Sequence, residues 1–136
     1  MDERYSVSIK GVVLQGRRVV LLENERSEWE LPGGRLEPDE QPEQCLKREI
    51  REELGLEAEI GQLLTSSLFE VIPGRRVFVV TYQALVVGPL GPLTHSSEHR
   101  QARLVALAEL SAMALPDPYR RAILQAVDIL DRFARN

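Results

Sequence analysis

Hydrophobic and polar residues alternate near the start of the chain, which is the pattern of β-strands with one buried face. The first run covers residues 5–14 and the second covers residues 18–23. Gln15 and Gly16 lie between the two runs, and a glycine in this position favours a tight turn. The pattern therefore predicts an N-terminal β-hairpin.

A helical pattern follows after residue 41. Leu46, Ile50 and Leu54 recur every four residues, so they share one face of a helix. Pro42 suits the first helical position, and Gly55 suits the C-terminal cap. We therefore predict a helix over residues 42–54 with one apolar stripe.

Strand-forming residues return after this helix. Runs rich in Val, Leu, Ile, Phe and Tyr cover residues 56–60, 62–71 and 76–86. Pro73 and Gly74 mark a turn between the last two runs. These signals predict a second hairpin.

The C-terminal part is predicted to contain a loop, a short strand and a helix. Glycines and prolines punctuate residues 87–99, and residues 103–106 read as a strand. Asp117 is expected to cap the last helix, with Pro118 at its first position. Its apolar stripe consists of Tyr119, Ala122, Ile123, Ala126, Val127, Leu130 and Phe133. This order of elements predicts an α/β sandwich.

Three glutamates lie on one side of the first predicted helix. At about 100° per residue, Glu49, Glu52 and Glu53 fall within an arc of about 100° beside the apolar stripe. Clustered carboxylates repel one another, and their hard oxygen atoms suit Mg²⁺ held jointly with substrate phosphates. For the helix alone, a solvated face rich in Arg and Glu is the alternative.

The residues around these glutamates favour a ligand site. Residues 31–34, Leu-Pro-Gly-Gly, form a turn whose backbone can approach a ligand closely. From residue 34 to residue 56 the chain fits the pattern Gly-x5-Glu-x7-Arg-Glu-U-x-Glu-Glu-x-Gly-U, where U is a bulky aliphatic residue. The specified positions are Gly34, Glu40, Arg48, Glu49, Ile50, Glu52, Glu53, Gly55 and Leu56. In this segment the chain resembles the Nudix (MutT-like) hydrolases.

The resemblance implies an α/β fold, the Nudix α/β/α sandwich with a mixed β-sheet, as a single domain over residues 1–136. A length of 136 residues with 43% hydrophobic residues agrees with one domain. The net charge of −4 argues against a nucleic acid polymer as partner. No stretch is apolar enough for a signal region or a membrane span, and the single cysteine forms no internal disulfide. A cytoplasmic protein, monomeric or homodimeric, is the expectation.

The resemblance also implies hydrolysis of a nucleoside diphosphate linked to a group X, giving a nucleoside monophosphate and phosphorylated X. The cofactor would be Mg²⁺, with Mn²⁺ as a substitute. The implied metal ligands are Gly34, through its carbonyl, Glu49, Glu52 and Glu53. Glu49 would also accept the proton of the attacking water. Arg48 would orient Glu49 and pair with Glu40, because a guanidinium fork matches carboxylates.

Further candidates lie outside the signature. Some relatives draw an additional glutamate from a later loop, and Glu98 is the candidate here, with a solvated loop residue as the alternative. Arg75 and Arg76 adjoin the second hairpin turn and are candidates for substrate phosphate contact. His95 and His99 are expected to be exposed loop residues.

The substrate is set outside the signature, so several functions stay open. The leading expectation is a nucleoside triphosphate or a related nucleotide. The alternatives are an ADP-ribose or nucleotide-sugar pyrophosphatase, a non-catalytic module that binds a nucleotide metabolite, and an isomerase with a catalytic cysteine. Cys45 is expected to be a buried small hydrophobe instead, and Trp29 is expected to pack the glycine turn.

Overall fold

The structure is a computed structural model that describes residues 4–134. Two α-helices lie on opposite sides of its strands. The elements in chain order are β1 (Ser6–Val12), β2 (Leu14–Gln15), β3 (Arg18–Glu23), β4 (Trp29–Glu30), β5 (Gly33–Arg35), α1 (Pro42–Leu54), β6 (Glu59–Ile72), β7 (Arg75–Leu85), β8 (Gln101–Ala106), a 3-10 helix (Leu107–Ala112) and α2 (Asp117–Ala134).

The strands form two sheets. The first has the order β5-β1-β7-β6 and is mixed, because β1 and β7 run parallel while the other neighbours are antiparallel. In the second, β8 pairs with the whole length of β3. The short strands β2 and β4 pair with the two ends of β3. The central strands β1 and β3 are therefore paired on both edges.

Two hydrophobic clusters fill the space between the strands and the helices. One cluster joins α1 to strand residues such as Ile9, Val20 and Leu22. The other joins α2 to residues such as Val19 and Leu21. Neighbouring residues of β3 thus face opposite helices, as the period of two requires. The predicted α/β/α sandwich with a mixed sheet is confirmed.

The predicted N-terminal hairpin is wrong in its pairing. Strand β1 lies between β5 and β7 in the first sheet. Of the predicted run 5–14, only its end pairs with β3, through Leu14 of β2 and through the Val13 carbonyl, which accepts from the Val20 amide. The chain changes sheets at Val13, which is fully buried. Alternation of residue types indicates the faces of a strand, but it does not identify the neighbouring strand.

The second hairpin is confirmed, with one change. The predicted strands 56–60 and 62–71 form a single strand β6, which begins at Glu59 and passes through Gly61. The pairing with β7 is irregular between Ile60 and Leu63, so the strand continues past the glycine at the cost of a shifted register. Strand β8 begins two residues before the predicted 103–106.

The last helix begins one residue earlier than predicted. The Arg120 amide donates to the Pro116 carbonyl, which places Asp117 inside the first turn and not at the cap. At the other end, Leu130 and Phe133 are 41% and 70% exposed, contrary to their place in the predicted stripe. They continue the angular position of the stripe, so their exposure reflects a lack of covering residues near the helix end. No helix within residues 4–134 is long and apolar enough to cross a membrane.

Candidate active site

Helix α1 begins and ends where the sequence predicts, and this fixes the directions of its glutamates. The Gln41 amide donates to Gln44 Oε1 over 2.9 Å before Pro42 opens the helix. At the other end Gly55 adopts φ +68°, and its amide donates to the Arg51 carbonyl. A left-handed cap of this kind favours glycine.

The two glycines of β5 lie against different neighbours. A Cβ atom on Gly34 would lie 2.5 Å from the Glu49 carboxylate carbon, so the missing side chain makes room for this carboxylate. Gly33 has φ +141°, and a Cβ there would lie 2.0 Å from the Ile9 carbonyl oxygen. Gly33 thus allows β5 to pack against β1, and Gly34 allows α1 to bring Glu49 close.

Arg48 connects the carboxylates of the signature. Its Nε and Nη2 donate to the two oxygens of Glu40 over 2.7 and 3.0 Å. Its Nη1 donates to Glu49 over 2.9 Å and to Glu52 over 3.3 Å. The predicted pairing with Glu40 and Glu49 is therefore present, and one guanidinium orients three carboxylates.

These contacts set the ionisation of the two partly buried carboxyls. Hydrogen bonds from Arg48 lower the pKa of Glu40 to about 2. Burial raises the pKa of Glu49 above its ordinary value, although Arg48 opposes this effect. A carboxylate with a raised pKa is a better proton acceptor than an exposed one.

The acidic side of α1 opens onto a cavity of about 250 Å³. Its walls consist of Glu37, Arg48, Glu49, Glu52, Glu53, Ser96 and Glu98. Five carboxylates and one guanidinium give this cavity a strong negative charge, and all the carboxylate donors are hard oxygens. The donor set fits a divalent cation such as Mg²⁺. Glu98 of the later loop thus reaches the same cavity as the signature glutamates.

The carboxylates are not arranged around one point in this structure. Within residues 4–134 no three His, Cys, Asp or Glu side chains form a ready-made metal cluster. Glu49 turns towards Arg48, and Glu53 turns towards His99. One or two carboxylates, completed by substrate phosphates and water, are the usual protein share of a Mg²⁺ site, and this cavity can supply that share.

Glu53 belongs to a buried network that the sequence did not predict. Its two oxygens accept hydrogen bonds from the Ser96 amide and from His99 Nδ1. His99 Nε2 lies 2.5 Å from Glu30 Oε1, and Lys10 Nζ lies 4.0 Å from the same oxygen. The His99 side chain is only 8% exposed, so its expected exposure in the loop is wrong. The reason is that the imidazole inserts between two carboxylates.

The charges in this network balance one another. Both ring nitrogens of His99 face carboxylate oxygens, so the ring donates from both. Burial opposes that charge, but Glu30 and Glu53 raise the pKa of His99. Burial likewise opposes ionisation of Glu30, but His99 and Lys10 lower its pKa to about 2. Burial would raise the pKa of Glu53, yet Ser96 and His99 hold it below the ordinary value.

A second cavity, of about 190 Å³, lies along β1. Its polar lining is formed by Ser6, Ser8, Lys10, Glu30, Arg35 and Arg75, and its apolar lining by Phe69, Val71, Val77, Val79 and Tyr119. Glu30 thus lines this cavity while its partner His99 contacts Glu53 of the acidic one. Of the two predicted arginines, the structure brings Arg75 to this lining and does not bring Arg76 there.

The remaining sequence candidates are placed as packing or surface residues. Cys45 is fully buried, and burial raises the pKa of its thiol to about 12, which disfavours a nucleophilic role. Trp29 is in the core beneath Arg103, whose guanidinium carbon lies 5.5 Å from the ring centre. His95 is exposed, and its Nδ1 lies 2.9 Å from the Ser96 carbonyl oxygen. Sequence reasoning missed Lys10 and Glu30, whose signal was a charged residue between non-polar neighbours, Ile9 and Gly11 for Lys10 and Trp29 and Leu31 for Glu30.

Comparisons with known proteins agree with the fold and the signature. A family model described as NUDIX domain matches residues 4–126. A MutT-like protein of Streptomyces ambofaciens is 31% identical over 130 residues, which cover 87% of this chain and 83% of that protein. The CTP pyrophosphohydrolase of Escherichia coli K12 is 54% identical over 43 residues, about a third of either chain.

A solved structure of a MutT protein has the same fold over nearly the whole length of this chain. The crystal structure of the MutT protein from Methanosarcina mazei Go1 superposes with a TM-score of 0.75 at 26% identity. The match covers 96% of this chain and 98% of that one. Because the family match spans nearly the whole described chain and includes the complete signature, this protein belongs to the Nudix family of hydrolases, which act on phosphoric anhydride bonds.

Proposed function

We propose that this Nudix hydrolase is a Mg²⁺-dependent pyrophosphohydrolase of nucleotides. It would cleave the diphosphate of a nucleoside diphosphate linked to X, with a nucleoside triphosphate as the main substrate class. The products would be a nucleoside monophosphate and phosphorylated X, with water as the second reactant. The observation that carries the proposal is the cavity that Glu49, Glu52, Glu53 and Glu98 line together.

The chain's own residues account for cation binding and for proton transfer. A bound divalent cation neutralises charge on the diphosphate oxygens and makes water a better nucleophile. Glu52, Glu53, Glu49 and the Gly34 carbonyl are the proposed ligands. Glu49 is also the proposed proton acceptor, since burial raises its pKa and Arg48 holds its carboxylate in place. Mn²⁺ would bind to the same oxygen ligands.

The second cavity is the proposed place of the nucleoside. Its walls combine five apolar residues, including Phe69 and Tyr119, with six polar or charged ones. The apolar side chains would pack against the base, and the polar groups would fix its orientation. Lys10 and Arg35 line the same cavity and would face the phosphate groups. A substrate would then extend from the acidic cavity along β1.

One comparison favours a nucleoside triphosphate over the alternatives. The relative from Escherichia coli is named as a CTP pyrophosphohydrolase, although the shared segment covers only a third of it. A non-catalytic binding module would have no need for the complete glutamate set.

A release assay over a panel of nucleotides tests the proposal. The panel contains the ribonucleoside and deoxyribonucleoside triphosphates, ADP-ribose, a nucleotide sugar and a 5′-triphosphorylated RNA, each with Mg²⁺. We expect a nucleoside monophosphate and pyrophosphate from at least one triphosphate. Faster release from ADP-ribose or the nucleotide sugar would assign the alternative substrate class. Binding without product would contradict the proposal in favour of a binding module.

The adjacent arginines of β7 offer a matched test of the nucleoside cavity. Arg75→Ala is expected to raise KM about tenfold with kcat nearly unchanged, because a hydrogen bond to a charged group contributes about 1.5–3 kcal/mol. Arg76→Ala, which removes the same charge outside the cavity lining, is expected to change KM less than about twofold. Steady-state kinetics on the best triphosphate measure both. Equal effects of the two variants would exclude Arg75 from substrate contact.

Glu98 can be tested separately as a catalytic group. Glu98→Gln keeps the shape of the side chain but removes its charge from the acidic cavity, so kcat is expected to fall about 10²-fold. Ser97→Ala in the same loop serves as the control. Measured kcat values that differ from wild type by less than about tenfold would place Glu98 outside the catalytic set.

A further inference from the structure

Three separate parts of the chain meet at the His99 imidazole. Nδ1 contacts Glu53 on α1, and Nε2 lies 2.5 Å from Glu30 on β4. The side chains of His99 and Glu53 are 8% and 6% exposed, and that of Glu30 is 20% exposed. The contacts join residues that lie 46 and 69 positions apart in sequence.

Glu30 is the fixed end of this chain of contacts. Its backbone pairs with Leu22 on β3, which is itself paired with β8. Its second carboxylate oxygen lies 3.3 Å from the buried Asn24 side-chain amide, which donates to it. Strand pairing and the side chains of Asn24 and Lys10 therefore hold the Glu30 carboxylate in place. Glu30 in turn contacts Nε2 of His99.

Glu53 lies at the other end of this chain of contacts, where His99 and Ser96 orient its carboxylate. His99 Nδ1 occupies one of its oxygens and the Ser96 amide occupies the other. A carboxylate can accept about four hydrogen bonds or ligand contacts, so these two leave acceptor positions free. Glu53 also lines the acidic cavity with Glu49 and Glu98. The carboxylate is thus oriented from behind while part of it remains available to the cavity.

We propose that His99, fixed by Glu30, is a positioning residue that presents the Glu53 carboxylate to the divalent cation. The inference rests on the cation site of the proposed function. Partners that orient a metal ligand through hydrogen bonds typically change metal affinity or activity 10–100-fold when they are removed. The same anchoring holds residues 96–99, so it keeps Glu98 at the cavity.

Two amide variants separate the two contacts of the imidazole. In His99→Asn the amide nitrogen lies at the position of Nδ1, so a donor to Glu53 remains. The side chain is too short to reach Glu30, so that contact is lost. In His99→Gln the longer amide reaches the place of Nε2, so the contact with Glu30 remains and the donor to Glu53 is lost. Both variants keep a polar side chain in the buried site.

Binding of Mn²⁺ alone, without nucleotide, is the readout. The electron paramagnetic resonance signal of free Mn²⁺ gives the dissociation constant, and circular dichroism with thermal unfolding reports the fold. We expect His99→Gln, which loses the donor to Glu53, to weaken Mn²⁺ binding about tenfold or more, and His99→Asn, which loses only the contact with Glu30, to weaken it about threefold. The control His95→Gln, at the exposed histidine of the same loop, is expected to bind like wild type.

A variant of Glu30 tests the other half of the inference. Glu30→Leu removes the acceptor for Nε2 but leaves the Nδ1 donor to Glu53, as His99→Asn does, so we expect Mn²⁺ binding to weaken about threefold in this variant too. Mn²⁺ binding within twofold of wild type in either His99→Gln or Glu30→Leu would overturn the inference. An equal loss in His99→Asn and His99→Gln would also overturn it, because the donor to Glu53 would then be irrelevant.

The outcomes distinguish this inference from the proposed function. A wild-type protein that binds Mn²⁺ but hydrolyses no nucleotide would contradict the proposed function and leave the positioning role standing. A hydrolytically active protein whose His99→Gln variant binds Mn²⁺ like wild type would contradict the positioning role alone.

Discussion

Replacement of Glu53 by Gln is expected to lower the metal-dependent kcat about 10³-fold. Charge stabilisation by a bound metal ion contributes several kcal/mol to catalysis, and each 1.36 kcal/mol corresponds to a factor of ten in rate. Gln has the shape of Glu but no charge, and one of its two terminal groups is a donor. It therefore cannot accept from the Ser96 amide and His99 and also bind a cation as Glu53 can.

The measurement is kcat over a Mg²⁺ series, with circular dichroism to show that the variant folds. Glu57→Gln is the matched control, because Glu57 lies at the surface just beyond α1. Among residues 4–134 it interacts with Arg51 through hydrogen bonds and with Lys47 through charge alone, and it does not line the acidic cavity. The control is expected to keep wild-type kcat. A folded Glu53→Gln protein with turnover close to wild type would disprove the assignment of Glu53 as a metal ligand.

Gly33→Ala is expected to destabilise the fold by about 3 kcal/mol or more. Its φ of +141° lies in a region that only glycine adopts readily, and strain of this kind costs about 1–3 kcal/mol. In addition, the new Cβ would lie 2.0 Å from the Ile9 carbonyl oxygen, which belongs to the backbone of a central strand. Strand β5 would have to separate from β1 to relieve the contact.

Urea unfolding measures this cost, and Gly74→Ala provides the comparison. Gly74 also has a positive φ, +83°, but no atom lies within 4 Å of the Cβ position. Gly74→Ala is expected to lower the free energy of unfolding by about 1–2 kcal/mol, because only the left-handed backbone conformation is unfavourable for alanine. The free energies of unfolding of the two variants should therefore differ clearly. Equal values would mean that β5 moves away from β1 at little cost.

Local signals in the sequence were sufficient for the helices and for the signature. Helix α1 is defined within one short segment by Pro42 at its start, the stripe of leucine and isoleucine along it, and Gly55 at its end. Each of these signals depends only on residues close to it in sequence. Asp39 adds a further local detail, because its φ of +65° is a left-handed conformation that glycine adopts most easily. Asp39 therefore occupies a backbone conformation for which glycine is the more usual residue.

Strand pairing could not be predicted from the same kind of signal. Strand β1 pairs with β5 and β7, which begin 27 and 69 residues later than it does. The alternation of residues within β1 is the same whether its neighbour is β3 or β7. The choice depends on the combined burial of both faces, and that is a property of the assembled fold.

The same distinction applies to the active site. The contacts of Arg48 with Glu40 and Glu49 span eight residues or fewer within the signature segment and were predicted from the family resemblance. The network of Glu30, His99 and Glu53 depends on contacts between distant segments, so no local signal distinguished His99 from an ordinary loop histidine. The presence of Glu98 at the cavity was predicted only from the family resemblance.

The long-range contacts of Glu53 have a consequence for how sequences of this kind are interpreted. The signature ends at Leu56, but Ser96 and His99 complete the surroundings of its last glutamate. A gene fragment that stops after β7 would keep every signature residue and would still lack one wall of the cavity. An intact motif in a truncated or recombined gene is therefore a poor sign of an intact enzyme, and the loop that contains His99 should be inspected as well.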